Sequence, residues 1–396
     1  MKYRKMGLLN WKVSALGFGA MRLPMIKDGE IQKVDVPEAI RIIRYGIDNG
    51  INYVDTAWPY HGGESEKIVG QALKDGYREK VKLVSKLPMW EVKKTEDFDV
   101  FLNKQLEKLQ TDHLDIYLFH GLNKNRFQKL KDLNLIKKME EAREKGLIRH
   151  FGFSFHDSWD VFKEIVDFYN WEMAQIQHNY IDVDYQASTK GLKYAANKGI
   201  AVVIMEPIKG GKLANPTPKV VQILEKSSVK RTPVDWALQF LWNMPEVTVV
   251  LSGMGSYQMV EENLNSASNS GIGLLSSDES ETISQIAKAF QKVIVIPCTA
   301  CGYCMPCSSG VNIPGNLSFA NELSWGRERK PLENWYNAMM VKTEEELKEK
   351  PGEGNASFCT QCGECLEKCP QSIDIPTELE KINEIFGNGK NFKEFY

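Results

Sequence analysis

The chain has 396 residues, enough for one large domain and one small one. Its formal net charge is -2 and 42% of its residues are hydrophobic, a composition that offers no basic surplus for binding nucleic acid. No apolar run is long enough to span a bilayer, and the charged start leads into no signal-peptide stretch. We therefore expect a cytoplasmic protein that binds neither nucleic acid nor membranes.

Short apolar runs alternate with amphipathic helical stretches from Ser14 to about Leu251. Near-continuous apolar runs are typical of parallel strands covered by helices. One of the helices is predicted to begin at Asp35 and Pro37 and to end before Gly50. The predicted strands are Ala15–Gly19, Asn52–Asp55, Val81–Lys86, Leu114–Phe119, Arg149–Phe153, Ala174–Gln177, Ala201–Met205 and Thr248–Ser252.

Eight strand–helix units over about 250 residues are the size of a (β/α)8 TIM barrel. A doubly wound open sheet is the alternative, but its glycine fingerprint needs a third glycine that Leu16–Met21 lacks. We predict a barrel within residues 1–292. In a barrel of this kind the chemistry lies at the C-terminal ends of the strands, so the residues there are candidates for catalysis.

Four polar residues fall at or just after three successive predicted strand ends: Asp55, Tyr60, Lys86 and His120. If Lys86 stays charged beside Asp55, its charge favours ionisation of the Tyr60 phenol, which could then act as an acid. His120 could hold a carbonyl oxygen on which negative charge builds up. Each residue alone also fits an ordinary structural role, but their convergence predicts a proton-transfer site.

All eight cysteines of the chain lie in two runs in its last quarter. The first run is Cys298, Cys301, Cys304 and Cys307, and the second is Cys359, Cys362, Cys365 and Cys369, followed by Pro370. The second spacing is that of bacterial ferredoxins, in which the fourth cysteine of each run binds the other cluster. We predict two [4Fe-4S] clusters, one held by Cys298, Cys301, Cys304 and Cys369, the other by Cys359, Cys362, Cys365 and Cys307. Zinc and a disulfide framework are the alternatives.

The join between barrel and tail is predicted to follow a helix over Ser276–Gln291. We expect a small α-helical ferredoxin-like domain over residues 293–396, with helices around Asn316–Trp325 and Glu333–Glu349. The stretch Ile373–Pro376 repeats the pattern of Val311–Pro314, which indicates a pseudo-symmetric unit with two clusters.

Several motifs of residues 3–290 occur in one order along the chain: Leu16–Arg22, Asp55–Tyr60 with Gly62–Glu66, Leu114–His120, Lys145–Arg149 with Gly152–Ser154, Gln175–Tyr180 and Glu261–Leu264. Together they are similar to the motifs of the aldo/keto reductase family. The tail resembles the iron–sulfur extension that one branch of this family carries.

The resemblance implies a role for each matching residue. Tyr60 would be the proton donor, Lys86 and Asp55 would tune it, and His120 would orient the substrate. The nicotinamide carboxamide would be held by Ser154 and Gln177, and the adenine end by Glu262 and Asn263. The turn at Gly253 could receive a phosphate through its backbone amides.

Four positions differ from the common family pattern. Phe155 and Met205 stand where an asparagine and a stacking tyrosine are common, and Gly253 and Met259 where cations often hold the 2′-phosphate of NADPH. The cofactor could therefore be NADPH or NADH. A flavin such as FMN in the barrel mouth is a further possibility, because it would divide the electron pair of a hydride between one-electron clusters.

These observations predict an oxidoreductase that interconverts a carbonyl and an alcohol, coupled to electron transfer through two [4Fe-4S] clusters. The alternative is an iron–sulfur electron-transfer protein, with or without flavin, in which the barrel is a docking scaffold; the clusters could also be purely structural. We expect a small-molecule substrate, a redox protein partner such as a ferredoxin, and a low-oxygen cytoplasm.

Overall fold

The computed structural model describes residues 1–28 and 31–396, and the side chains outside positions 28–32. The strands are β1 (Tyr3–Lys5), β2 (Lys12–Ser14), β3 (Leu16–Gly19), β4 (Met25–Asp28), β5 (Ile31–Val34), β6 (Tyr53–Asp55), β7 (Lys82–Leu87), β8 (Leu114–Leu122), β9 (Ile148–Phe155), β10 (Met173–Gln177), β11 (Ala201–Met205) and β12 (Val247–Ser252). The helices are α1 (Val36–Asp48), α2 (Ser65–Ala72), α3 (Asp97–Leu109), α4 (Lys124–Asp132), α5 (Leu135–Glu144), α6 (Trp159–Phe168), α7 (Ser188–Asn197), α8 (Pro218–Lys226), α9 (Pro233–Trp242), α10 (Tyr257–Ser268), α11 (Ser277–Gln291), α12 (Ile313–Ser324), α13 (Arg329–Met339), α14 (Glu344–Glu349) and α15 (Ile375–Ile382).

Eight parallel strands close into a barrel in the order β10-β11-β12-β3-β6-β7-β8-β9. The predicted TIM barrel is therefore confirmed, and each predicted strand overlaps a barrel strand. The predicted start of α1 is also correct, because the side chain of Asp35 caps the helix by accepting from the backbone N–H of Glu38. Among the described residues, no helix is both long and apolar enough to cross a membrane.

Side chains alternate between the barrel interior and the helix layer along each strand, as the period of two requires. Inside the barrel, fully buried residues such as Tyr53, Val84 and Leu118 form one apolar cluster. Their neighbours Val54 and Leu83 belong to the larger cluster between strands and helices. The interior is thus a packed core. The inward-facing polar residues come after the core residues along each strand, at the C-terminal ends.

Contacts between Cα atoms divide the chain into two compact units. The first comprises Met1–Ile208 and Arg231–Ser280, and the second comprises Lys209–Lys230 and Glu281–Tyr396. The second unit therefore includes α8, although this helix follows the seventh barrel strand in sequence. The predicted boundary at residues 292/293 stays a prediction.

The second unit contains a helical repeat. Asn312 caps α12 and Asp374 caps α15, each with nearly the same backbone angles and each followed by a proline in the first turn. The repeat read from the sequence is thus a repeated helix start. The predicted helix Glu333–Glu349 was wrong, because the chain is extended at Met340 and begins α14 with a capping box at Thr343.

Candidate functional site

The alternation along three neighbouring strands turns three of the predicted catalytic residues inward. Asp55, Lys86 and His120 each follow an inward-facing core residue by two positions, in β6, β7 and β8 respectively. All three are almost completely buried, with Lys86 at 0% exposure. The parallel pairing of these strands brings their ends together on one side of the barrel.

Lys86 is the centre of this cluster. Its ammonium nitrogen lies 2.6 Å from Oδ1 of Asp55, 2.9 Å from the backbone oxygen of Thr56 and 3.3 Å from the phenol oxygen of Tyr60. The three N–H donors of an ammonium group match these three acceptors. The structure thus brings together the lysine, the carboxylate and the phenol that the sequence predicted to cooperate.

Tyr60 is placed by a tight turn after β6. It begins a short helical turn, Tyr60–Gly63, in which His61, Gly62 and Gly63 all have positive φ. A left-handed backbone costs free energy at a residue other than glycine, such as His61. The contact that its side chain makes therefore shows what holds the turn in this conformation. His61 Nε2 accepts a hydrogen bond of 3.0 Å from the backbone N–H of Leu23, which ties the turn to the segment after β3.

Burial dominates the electrostatics of the cluster. It lowers the pKa of Lys86 below its ordinary 10.5, while the charge of Asp55 opposes the shift. It also raises the pKa of Asp55, against the effect of Lys86. The pKa of His120 lies well below 6.5 because of burial first and the charges of Lys86 and Arg126 second. His120 is therefore a neutral imidazole that can donate a hydrogen bond without a charge; its ring lies 5.0 Å from Trp90 and 6.1 Å from Tyr60.

The two residues predicted to hold a carboxamide face the barrel interior from β9 and β10. Ser154 Oγ accepts a hydrogen bond of 2.7 Å from the backbone N–H of Gly121. Gln177 Nε2 donates to Oδ2 of Asp182 at 2.8 Å, and Asn179 Nδ2 donates to the same oxygen at 2.8 Å. No role was predicted for Asn179, which lies inside the Gln175–Tyr180 motif, or for Asp182, two residues after it.

The residues predicted for the adenine end lie around α10. Asn263 is buried and its Nδ2 donates to Ser252 Oγ at 2.9 Å, whereas Glu262 is exposed and accepts from Gln258. The turn at Gly253 has a neighbour that the sequence did not predict: a Cβ at Gly253 would lie 2.9 Å from Cβ and Cγ of Arg22. The aliphatic part of the Arg22 side chain, from the segment after β3, therefore packs against the turn.

Phe155 and Met205, which differ from the common family pattern, face opposite sides of the barrel wall. Phe155 is fully buried and packs on Phe162 of α6 with ring centroids 5.0 Å apart, so it belongs to the helix layer. Met205 faces the interior at the end of β11, where its sulfur accepts a weak hydrogen bond of 3.8 Å from Gln175 Nε2. Phe155 therefore gives no reason to replace a nicotinamide by a flavin.

The eight cysteines are arranged in two sets of four. One cavity is lined by Cys298, Cys301, Cys304 and Cys369, and another by Cys307, Cys359, Cys362 and Cys365, with Cys304 lining both. These are the two sets predicted from the ferredoxin spacing, with the last cysteine of each run in the cavity of the other run. Four thiols around each cavity fit the ligand requirement of a [4Fe-4S] cluster.

The repeated helices α12 and α15 form walls of these cavities. Ile313 of α12 lines the cavity of Cys307, while Ile375 of α15 lines that of Cys298. The segment before the first cysteine is held by Asn321, which accepts from the backbone N–H groups of Val295 and Ile296 at 3.1 Å each. Cys362 differs from the other seven cysteines because it is exposed.

Residues 15–288 match the model of the aldo/keto reductase family, which is more than half of the chain. The chain belongs to the aldo/keto reductase family. Residues 297–374 match the 4Fe-4S dicluster domain, so this family member also carries two [4Fe-4S] clusters bound through the cysteines of that domain. It is an aldo/keto reductase oxidoreductase with a dicluster ferredoxin domain.

The relatives match about two thirds to three quarters of this reductase. L-Galactose dehydrogenase of Arabidopsis thaliana is 26% identical over 314 residues, which cover 74% of this chain and 95% of the relative. The uncharacterized oxidoreductase YqkF of Bacillus subtilis is 25% identical over 300 residues, covering 67% and 91%. The solved structure of aldo-keto reductase AKR11C1 from Bacillus halodurans (holo form) has a TM-score of 0.61 and 27% identity, covering 73% of this chain and 97% of its own.

Proposed function

We propose that the barrel reduces a carbonyl compound to an alcohol, or runs the reverse reaction, with Tyr60 as the proton donor. The observation that carries the proposal is the buried ammonium of Lys86, held between the carboxylate of Asp55 and the phenol oxygen of Tyr60. A cation 3.3 Å from a phenol favours the phenolate that remains when the proton leaves. Such tuning is how a phenol becomes a useful general acid.

Each of the other residues has a separate task. Asp55 keeps the ammonium of Lys86 in place, and its Oδ2 has no hydrogen-bond partner among the described residues. His120, as a neutral imidazole, would donate a hydrogen bond to the carbonyl oxygen of the substrate and so orient it. The nearby ring of Trp90 would exclude water from one side of this site.

A nicotinamide dinucleotide would supply the hydride when bound. The residues present fit it: Ser154 and Gln177 offer a hydroxyl and an amide to the carboxamide, and Asn263 lies on the helix at the adenine end. The side chain of Arg22, whose stem lies beside Gly253, supports a cofactor with a 2′-phosphate, because a guanidinium forms strong charge-assisted bonds with phosphate. We propose NADPH as the better cofactor; Arg22→Met would then raise the KM for NADPH far more than that for NADH.

The relatives suggest which carbonyl compounds to offer first. Methylglyoxal reductase YeaE of Escherichia coli is 34% identical over 158 residues, 40% of this chain and 52% of the relative. The NADH-specific methylglyoxal reductase of the same organism is 27% identical over 258 residues, 54% and 78% respectively. Methylglyoxal and simple sugars are therefore the probes, tested with both NADPH and NADH.

The decisive experiment compares Tyr60→Phe with Tyr194→Phe, which removes the same phenol oxygen from α7, outside the barrel. Tyr194 donates to Asp167 in an exposed pair, so we expect the control to stay active. Loss of a positioned general acid costs about 10²- to 10⁴-fold in rate. Unchanged turnover in Tyr60→Phe, with clusters that still take up electrons, would instead support the reading of the barrel as a docking scaffold.

We further propose that the two clusters exchange single electrons with an external redox protein such as a ferredoxin. The cavity of Cys307, Cys359, Cys362 and Cys365 supports this, because Cys362 is exposed and is followed by the exposed Leu366. A small, solvent-facing contact suits the transient complexes of electron transfer. The other set, in which none of the four cysteines is exposed, would then be the less accessible cluster.

The coupling is tested on the full chain, purified without oxygen. Iron, sulfide and flavin are measured first, because a hydride carries two electrons and each cluster passes one. An alcohol substrate with the oxidised nicotinamide cofactor is then added, and cluster reduction is followed by electron paramagnetic resonance. Clusters that stay oxidised while the alcohol is consumed would show that they are structural.

A further inference from the structure

A carboxylate is completely buried on the outer side of the strand that carries Lys86. Glu66 lies on α2, and its side chain is 0% exposed. Its Oε1 accepts hydrogen bonds from Ser85 Oγ at 2.7 Å and from Gln105 Nε2 at 2.5 Å, and its Oε2 lies 3.4 Å from Lys108 Nζ. Burying a charge is costly unless it is paired and hydrogen-bonded, so such a group calls for an explanation.

The same hydrogen-bond network reaches the backbone of Lys86. Gln105 Nε2 lies 3.1 Å from the backbone oxygen of Lys86 and 2.9 Å from Ser85 Oγ. The other end of the amide is held by the hydroxyl of Tyr117, which donates to Gln105 Oε1 at 2.6 Å. Because both ends of Gln105 are engaged, its orientation is fixed, and β7 is clamped directly behind the inward-facing lysine.

The charge of Glu66 also acts on the lysine. Lys86 is fully buried, and burial lowers its pKa, but the negative charge of Glu66 opposes that shift in addition to the larger effect of Asp55. Lys108 is partly exposed, so its own charge is better screened than that of Glu66. The titratable and charged groups facing Lys86 are Asp55 on β6, Tyr60 on the following turn, His120 on β8, Glu66 on α2 and, behind it, Lys108 on α3.

We propose that Glu66 is a positioning residue for Lys86: through Ser85 and Gln105 it holds the strand that carries the lysine, and its charge favours the ammonium form. The inference rests on the carbonyl chemistry proposed above. Residues of α2 and α3, outside the barrel wall, would then help to set the pH range in which the reaction proceeds. If Glu66 only held α2 and α3 together, its hydrogen bonds would be needed but the negative charge of its carboxylate would not.

Glu66→Gln tests this difference, because it preserves the volume and removes the charge. For carbonyl reduction, kcat/KM falls at high pH as the coupled acid groups lose their proton. Without the negative charge, the proton is lost at lower pH, so the falling limb moves down by on the order of one pH unit. Ser85→Ala is the matched control: it removes one hydrogen bond to the same carboxylate and keeps the charge, so its limb stays in place.

A second variant covers the case in which Glu66→Gln does not fold. Lys108→Met removes the positive partner of the carboxylate, and the limb is then expected to move to higher pH. An unshifted limb in Glu66→Gln, or an equal shift in Ser85→Ala, overturns the inference while Tyr60→Phe remains inactive. If Tyr60→Phe keeps full activity, the proposed function itself fails, and this inference fails with it.

Discussion

The two units of the molecule use their polar groups in opposite ways. In the barrel, an apolar core supports the site, and Lys86 pairs with Asp55 at the edge of that core. In the second unit, the apolar cluster is much smaller, and six of the cysteines are packed against it. The barrel is therefore a scaffold that carries a site, whereas in the second unit the cysteines that bind the clusters pack directly against the core.

This contrast has a thermodynamic meaning. A self-sufficient core folds without its ligand, and the ligand adds only its own binding energy. A unit whose core includes a metal centre gains much of its folding free energy from that metal. Loss of a ligand should therefore unfold the second unit but leave the barrel folded.

The largest effect is expected when the clusters are removed. Extraction with a chelator under reducing conditions should unfold the second unit and leave the barrel folded, because the metal contributes folding free energy only to the former. Hydrogen exchange followed by mass spectrometry should show lost protection in Glu281–Tyr396 and also in Lys209–Lys230, which belong to the same unit. Retained protection in Lys209–Lys230 would show that this segment does not fold with the second unit.

Loss of Asp55 should be the most damaging single change in the barrel. Asp55→Asn leaves the ammonium of Lys86 without its nearest counter-charge, and removing one partner of a buried pair costs about 3 to 5 kcal/mol. The double variant Asp55→Asn with Lys86→Met removes both charges and should recover most of this loss in the free energy of unfolding. Urea denaturation under anaerobic conditions measures both values. A double variant as unstable as the single one would show that packing, not charge, causes the loss.

Much of the fold could be predicted because the relevant signals are local. The strands were found within about three residues at each end because each is a short buried run, as Ala201–Met205 shows. The break between α13 and α14 was missed, because the charged residues after Thr343 suit a continuing helix as well as a new one. Only tertiary contacts decide between these two readings.

The site residues could be predicted where their function requires a fixed spacing or a fixed position along the sequence. The two cysteine sets follow from ferredoxin spacing, and the Lys86 cluster follows from the strand ends. The position of Arg22 beside Gly253 was not predictable, since the two residues are more than 200 positions apart. The buried state of Glu66 was equally hidden, because its neighbour Lys67 is exposed and the helix pattern alone does not distinguish them.

Lowering the pH is expected to have a smaller effect on the free energy of unfolding of the barrel. His178 is buried, and burial lowers its pKa to about 4 from an ordinary 6.5. Between these values the unfolded chain binds the proton and the folded chain does not, so the free energy of unfolding falls as the pH falls. From pH 7 to pH 5 the loss from this residue is roughly 2 kcal/mol. Urea midpoints followed by tryptophan fluorescence measure it, and His178→Asn should weaken the pH dependence by that amount.

The smallest effects concern the helix repeat of the second unit. Asn312→Ala and Asp374→Ala each remove a side-chain cap, which costs about 1 kcal/mol. The visible absorbance of the clusters, followed against urea without oxygen, reports the loss. Thr343→Ala is the control, because it removes the same kind of cap from α14, which buries none of its residues.

Since α12 and α15 each form part of a cluster cavity, we expect the two cap variants to lower the urea midpoint equally. A larger loss at one of them would mean that one cluster contributes more to the stability of the unit, so that the repeat is symmetric in structure but not in energy.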